Sequence, residues 1–409
     1  MNKLLILIVL LLCNLNFAYC SSAQDSMIIE KIVFQSTDTN RVHGTLYLPD
    51  NGVQRIVIEL VSMDKPFRHP DFSLNSDTVY YNKIRKMTKN NTGVFLVSPR
   101  LQKDVSPMDK NFMKSRLLLT PETLADDALY AFNYLKTDKR FEGVKIGVMG
   151  TSATGVSAAM AAARNSGIAF VILNSTPSTK SVDEADYMWN KNRVATIFYK
   201  ALFSELWTIF DDSTFVYNGK VYQASNAKPI KEQFQSCAWD CMSRINREVL
   251  LKNDNSDTIR FYARKMFKES LEGNNLSKAK RFRKFGKDEE VTIDQYIDII
   301  IDFWYTPQDI SYLKWNPENY YPKIKCPVLM VFGDKDIQID FEGSLNNSRN
   351  IVNHYNKKNY SIEVLNGVGH NFTDRNILVK EKNGVSKNLK VIQDSYYEKL
   401  IKWLNSIPG

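Results

Sequence analysis

Short apolar runs that alternate with helix-patterned stretches constrain this chain more than any other feature of its sequence. Gly93-Val94-Phe95-Leu96-Val97, the stretch from Val144 to Met149, and Ala169-Phe170-Val171-Ile172-Leu173 are almost continuously apolar. Between them, Thr120-Pro121-Glu122-Thr123 offers an N-cap threonine with proline at the first helical position. Leu124, Ala128, Leu129, Ala131, Phe132 and Leu135 then recur at helical spacing, and Thr154 to Arg164 reads as an alanine-rich helix. A strand that is apolar on both faces has to be covered on both faces. The alternation therefore predicts an α/β fold, a mainly parallel sheet flanked by helices.

The same pattern sets the domain organisation. Ile29–Phe34, Val42–Pro49 and Arg55–Leu60 read as strands that precede the alternation, with Asp50-Asn51-Gly52 as a turn. Alternation stops near Ser175 and resumes after Pro317 with the strands Pro327–Phe332 and Ser361–Leu365 and a closing helix from Ser395 to Leu404. The intervening stretch is rich in Lys, Phe, Tyr and Trp and shows helical spacing in Phe198-Tyr199-Ala201-Leu202-Leu206 and Tyr296-Ile299-Ile300-Phe303. The expectation is one core built from residues 24–175 and 318–409, interrupted by a helical cap over 176–317.

One junction in the core carries chemistry. In Val144-Lys145-Ile146-Gly147-Val148-Met149-Gly150-Thr151-Ser152-Ala153-Thr154-Gly155, a strand runs into Ser152 and a helix follows at once. A serine at such a turn projects its hydroxyl from the carboxyl edge of the sheet, beside the unpaired N–H groups of the helix start. Small neighbours are needed there, and Gly150 is one. Thr154 stands where glycine is usual, with Gly155 one place late. The plainer alternative is a serine N-cap.

A nucleophilic serine needs a base and a group to orient that base. The chain has four histidines, and His370 stands out in the glycine-rich loop Leu365-Asn366-Gly367-Val368-Gly369-His370-Asn371-Phe372 just past a strand. His43, His69 and His354 carry no such context. The acid is Asp336, with Asp334 as its rival, in the turn Phe332-Gly333-Asp334-Lys335-Asp336. The chain order Ser152, Asp336, His370 is that of an α/β-hydrolase triad.

These segments resemble the α/β-hydrolase superfamily, in particular its bacterial dienelactone-hydrolase-like, carboxylesterase branch. Gly150 to Gly155 is similar to the family's G-H-S-x-G-G elbow, with Thr151 in place of histidine. Gly44-Thr45-Leu46-Tyr47-Leu48-Pro49 resembles its G-T-L-x-x-P element. Gly333-Asp334-Lys335-Asp336-Ile337-Gln338-Ile339 resembles its G-x-x-D-x-Q-V element, which points to Asp336 over Asp334. The likeness spans about residues 28–175 and 303–405. It implies an α/β-hydrolase fold and a serine hydrolase, most readily a carboxylic ester hydrolase acting through an acyl-enzyme. Two elements depart from the family. The glycine-rich oxyanion loop is replaced by Val61-Ser62-Met63-Asp64-Lys65, and the R-G turn by Ser98-Pro99-Arg100-Leu101. By position, Met63 and Ala153 would supply the oxyanion N–H groups.

The beginning of the chain reads as a signal peptide over residues 1–23, with Lys3 before ten apolar residues from Leu4 to Cys13 and small residues after them. Ten residues are half of the roughly 20 needed to span a hydrocarbon core. The expected location is periplasmic or extracellular, with a lipid anchor at Cys20 as a minority reading. The net charge of +9 is concentrated in the run Lys278 to Lys287, read as a solvated face, and no nucleic-acid motif accompanies it. Cys237, Cys241 and Cys326 are odd in number and read as buried thiols. So few His and Cys exclude a multi-metal protein, and the triad needs no metal or organic cofactor. The expected partner is a small-molecule acyl substrate. Peptidase, thioesterase and acyltransferase use the same triad and stay open, as does a non-catalytic binding protein on this scaffold.

Overall fold

A strand can be buried on both faces only inside a sheet that helices sandwich, and the apolar runs of this chain are buried in that way. The computed structural model describes residues 27–36, 41–61, 78–100, 119–187, 214–217, 220–223, 240–273, 282–283, 290–291, 293–372, 378–380, 386–388 and 394–407. Eight strands form one sheet: β1 (Met27–Gln35), β2 (Arg41–Pro49), β3 (Arg55–Leu60), β4 (Thr92–Val97), β5 (Lys145–Thr151), β6 (Val171–Asn174), β7 (Val328–Gly333) and β8 (Tyr360–Leu365). Their order is β1-β2-β4-β3-β5-β6-β7-β8. β1 and β2 pair antiparallel, β2 pairs antiparallel with β4, and every later pairing is parallel.

Burial follows position in the sheet. Every residue of β3, β4 and β7 is buried, whereas β1 at the edge alternates and leaves Ile29 and Val33 exposed. The helices in chain order are α1 (Thr78–Thr88), α2 (Pro121–Thr137), α3 (Ala153–Arg164), α4 (Ser181–Asp186), α5 (240–248), α6 (Ser256–Gly273), α7 (Ile293–Trp304), α8 (Pro307–Leu313), α9 (Phe341–His354) and α10 (Asp394–Ser406). On one sheet face Ile58, Phe95, Val148 and Met330 pack with Ala128 and Phe132 of α2, Val156 and Met160 of α3, and Ile351 of α9. On the other, Val57, Leu96, Met149 and Val331 pack with Ile84 of α1 and Leu400 of α10. Thr120 caps α2 with a reciprocal bond to Thr123, as the Thr-Pro start predicts. This is the α/β-hydrolase fold.

Between β6 and β7 the described residues form α4 to α8, of which α7 covers the stretch Tyr296 to Phe303, while the stretch Phe198 to Leu206 lies outside the described residues. The insertion also contains two short antiparallel ribbons, 214–217 with 220–223 and 282–283 with 290–291, that the spacing does not predict. The second ribbon takes in part of the basic run; the rest of that run, the signal peptide, Cys20 and Cys237 lie outside the described residues. Trp315, inside the expected insertion, belongs to the core together with Tyr321 and Ile324 after it, so the core resumes slightly earlier than residue 318. Cys241 is buried, and Cys326 is free and half-buried, with burial pushing its thiol up to about 11. Among the described residues no helix is long and apolar enough to cross a membrane.

Candidate active site

Parallel strands deliver their loops to one edge, and the three candidate residues all follow strands of the parallel half. Ser152 comes one residue after β5, Asp336 three after β7 and His370 five after β8. Two backbone bonds tie these strand ends together: the Ser152 N–H donates to the Asn174 carbonyl at 2.9 Å, and the Ser175 N–H donates to the Val331 carbonyl at 2.8 Å.

Ser152 adopts φ 57 and ψ −125. This lies in the left-handed half of the map that a residue with a Cβ rarely enters, and holding it there costs about 1–3 kcal/mol. The serine is half-buried, and its side chain does not cap α3. An N-cap serine would adopt extended dihedrals and accept an N–H from its helix; Ser152 does neither.

The crowding around it explains the sequence of the turn. A Cβ on Gly150 would stand 2.2 Å from the Thr154 carbonyl oxygen, and one on Gly155 would stand 1.9 Å from Thr176 Oγ1. Gly155 therefore supplies the close approach that a glycine at 154 would otherwise be expected to allow. Thr154 has its own part. Its hydroxyl accepts the Thr151 N–H and donates to the Thr151 carbonyl, both at 2.9 Å, and so fastens the strand end to the helix start. Ala153 is the first residue of α3, and the N–H groups of a first helical turn have no partner within the helix. Met63, the other expected oxyanion donor, lies outside the described residues, as do Ser62 and Asp64.

His370 and Asp336 are brought together. His370 Nδ1 lies 2.7 Å from Asp336 Oδ2, and both side chains are buried. The other carboxylate oxygen, Oδ1, accepts the N–H groups of Gln338 at 2.8 Å and Ile339 at 3.3 Å. An ionised carboxylate accepts only, so it requires the proton on Nδ1, and in the neutral imidazole the lone pair is then on Nε2. Asp334 serves a different purpose: it accepts the Gly367 N–H at 2.6 Å and braces the histidine loop. The two loops are stitched further by Asp334 N–H to the Leu365 carbonyl and Lys335 N–H to the Val368 carbonyl. A Cβ on Gly333 would meet the Val368 and Gly369 carbonyls at 2.5 and 2.6 Å. The histidine loop therefore crosses the end of β7, one strand nearer to Ser152 than β8, which carries it. No hydrogen bond joins Ser152 to His370 among the described residues.

Three supporting groups escape the sequence reading. Arg100, in the departed turn after β4, donates from its backbone N and Nε to the fully buried Asp127 of α2 at 3.0 and 2.8 Å. An acid on the apolar stripe of α2 is the signal that could have revealed it. Asn174 donates from Nδ2 to Tyr396 Oη at 2.9 Å, and the Tyr396 ring stacks on Phe372 with centroids 4.7 Å apart. This links the strand end beside Ser152 to the histidine loop through α10. Glu184 of α4 is buried, and burial above all, with Asp340 and Asp336 adding repulsion, pushes its carboxyl up to about 7. Nothing local in the sequence distinguishes it. Among the described residues no group of His, Cys, Asp and Glu could hold a metal ion.

No protein-family model matches the chain, and no curated protein matches it. Solved structures do. The esterase Pf2001 of Pyrococcus furiosus is 13% identical, with 95% of this chain and 94% of that chain covered and a TM-score of 0.47. Est1E from Butyrivibrio proteoclasticus is 11% identical, covering 92% and 97% with a TM-score of 0.43. A dienelactone hydrolase from Anabaena variabilis is 9% identical, covering 94% and 99% with a TM-score of 0.43.

Proposed function

We propose that the protein is a serine hydrolase that cleaves a carboxylic ester through an acyl-enzyme, with Ser152 as nucleophile, His370 as base and Asp336 as its orienting acid. The observation that carries this reading is the backbone of Ser152. A non-glycine residue is held at φ 57, ψ −125 with its hydroxyl uncommitted to its own helix. Local strain of this kind persists only where the surroundings enforce it, and it clusters at reacting groups.

In the proposed reaction, Ser152 Oγ attacks the ester carbonyl carbon while His370 Nε2 takes the hydroxyl proton. The carbonyl π electrons move onto oxygen, and the Ala153 N–H at the start of α3 donates to that oxyanion. Collapse breaks the bond to the alcohol, which leaves with the proton from Nε2. Water then attacks the acyl-serine by the same route and releases the acid. Asp336 holds the tautomer that keeps Nε2 basic and stabilises the imidazolium without being protonated itself.

A fluorophosphonate probe tests this without knowledge of the substrate, because labelling needs an activated serine and a donor for the phosphoryl oxygen. Wild-type protein should be labelled at Ser152, and Ser152→Ala and His370→Ala should each abolish labelling. A panel of p-nitrophenyl esters should show turnover lost in the same variants. Folded wild-type protein that takes no label and turns over no ester would favour a binding protein on this scaffold.

A further inference from the structure

Three consecutive backbone N–H groups hold the loop after β7, and two carboxylates accept them. Gln338 and Ile339 donate to Asp336, while Asp340 donates to Glu184 Oε1 at 2.5 Å. Asp340 in turn caps α9 through the Gly343 N–H at 3.0 Å. Glu184 belongs to α4, at the start of the insertion, so its bond joins the insertion to the loop that carries the acid. Its second oxygen accepts from Thr179 Oγ1 at 2.7 Å. Glu184 is 6% exposed, and no cation pairs with it among the described residues. The groups around it are Thr179, Asp336 and Asp340, with Tyr187 at the end of α4 and Glu342 on α9 close by. Asp183 on the same helix is exposed and is paired with Arg247 of α5.

Either protonation state keeps both hydrogen bonds. The ionised carboxylate accepts from Asp340 and Thr179. The neutral acid accepts from Asp340 through its carbonyl oxygen and donates its proton to Thr179 Oγ1, a hydroxyl that can reverse its role. Proton gain or loss thus changes the charge beside Asp336 while leaving the loop in place. We propose that Glu184 is a positioning residue that anchors the Asp336 loop to the insertion and, by gaining or losing its proton, sets how strongly Asp336 holds a protonated His370. Ionised Glu184 adds a second buried negative charge and favours the imidazolium; neutral Glu184 does not. The inference rests on the roles assigned to Asp336 and His370 under the proposed function. Burial lifts the Glu184 carboxyl to about 7, which places the change in the neutral range.

The test uses the imidazole NMR signals of the full chain, which has four histidines, with His370→Ala to assign the fourth. Glu184→Gln keeps an acceptor for Asp340 and a donor for Thr179 but stays neutral. Its His370 midpoint should lie below the wild-type value, and the acid limb of ester hydrolysis should move with it. Glu184→Ala cuts both bonds, so the Asp340 amide should exchange faster than in Glu184→Gln. The wild-type Asp340 amide shift should itself titrate with a midpoint about 7, a reading that needs no variant to fold. Equal His370 midpoints in wild type and Glu184→Gln overturn the proposal, as does an Asp340 amide that does not titrate. A wild-type Ser152 that takes no fluorophosphonate overturns the hydrolase reading instead, and the histidine midpoints still decide the role of Glu184.

Discussion

Alanine at Gly150 and at Gly155 separates two kinds of crowding around the serine. At Gly155 the obstacle is one side chain: a new Cβ would lie 1.9 Å from Thr176 Oγ1 and 2.9 Å from Thr176 Cβ. Overfilling a packed site costs about 1–3 kcal/mol when a neighbour can shift, so Gly155→Ala should lose ~2 kcal/mol. Thr176→Ala removes Oγ1 and also Cγ2, which lies 2.9 Å from the new Cβ, and so leaves one of the three contacts. By itself it forfeits the hydrogen bond to the Asn174 carbonyl, a loss of about 1 kcal/mol. The double variant should therefore be more stable than the two single losses imply, with a coupling of about 1–2 kcal/mol. At Gly150 the obstacles are backbone atoms, the Thr154 carbonyl oxygen at 2.2 Å and the Gly155 nitrogen at 2.5 Å. No side chain can be trimmed to make room. Gly150→Ala should cost at least about 3 kcal/mol and lose fluorophosphonate labelling, because relief requires the first turn of α3 to move. Urea unfolding of the four proteins of the Gly155/Thr176 cycle, with Gly150→Ala alongside, reads these values directly. A Gly155→Ala protein as stable as wild type, or strict additivity with Thr176→Ala, would refute the claim that these contacts hold the serine turn.

Glu184 has a raised carboxyl, so the stability it leaves intact below its unfolded value is lost as pH rises through its folded one. From the ordinary carboxyl value of 4.5 to about 7, the difference corresponds to about 3 kcal/mol, which Glu184→Gln should recover at pH 8 but not at pH 4.5. Denaturant unfolding at both pH values checks this, and an identical wild-type-to-variant difference at the two would contradict it. Asp127→Ala leaves the Arg100 guanidinium without its buried partner and should cost about 3–5 kcal/mol; a melting temperature within experimental error of wild type would show the pair to be unimportant. Tyr396→Phe removes the only partner of the Asn174 amide among the described residues, whose Oδ1 is already unpaired. It should cost about 1–2 kcal/mol while keeping the stack on Phe372, whereas Tyr396→Leu should also weaken labelling at Ser152.

The sequence by itself determined the architecture and the serine turn. Ile56 to Ile58 of β3, Val94 to Val97 of β4 and Val328 to Phe332 of β7 are apolar without alternation because both faces of those strands are covered, and that requirement is written into each run locally. The same holds for Gly150, whose lack of a side chain is needed by atoms four and five residues further along the chain. Local periodicity also placed α2, α3 and α10, whose apolar stripes meet the sheet. It did not announce α1 or α9, whose stretches are rich in Lys, Asn and Ser.

Only the tertiary structure decided how distant residues share the work. Asp334 and Asp336 sit in the same turn; the resemblance of Gly333 to Ile339 to a family element pointed to Asp336, but that Asp334 holds Gly367 while Asp336 meets His370 is decided by the fold, since both partners lie more than thirty residues away. Why Thr154 is tolerated became clear only with Thr176 lying against Gly155. The pairs Arg100 with Asp127, Asn174 with Tyr396, and Glu184 with Asp340 span 27, 222 and 156 residues. Hydrogen bonds and charges act over a few ångströms of space, whatever the separation along the chain. A local pattern can therefore fix which face of an element is buried, but the partner of a buried polar group is chosen by the fold that brings the two together.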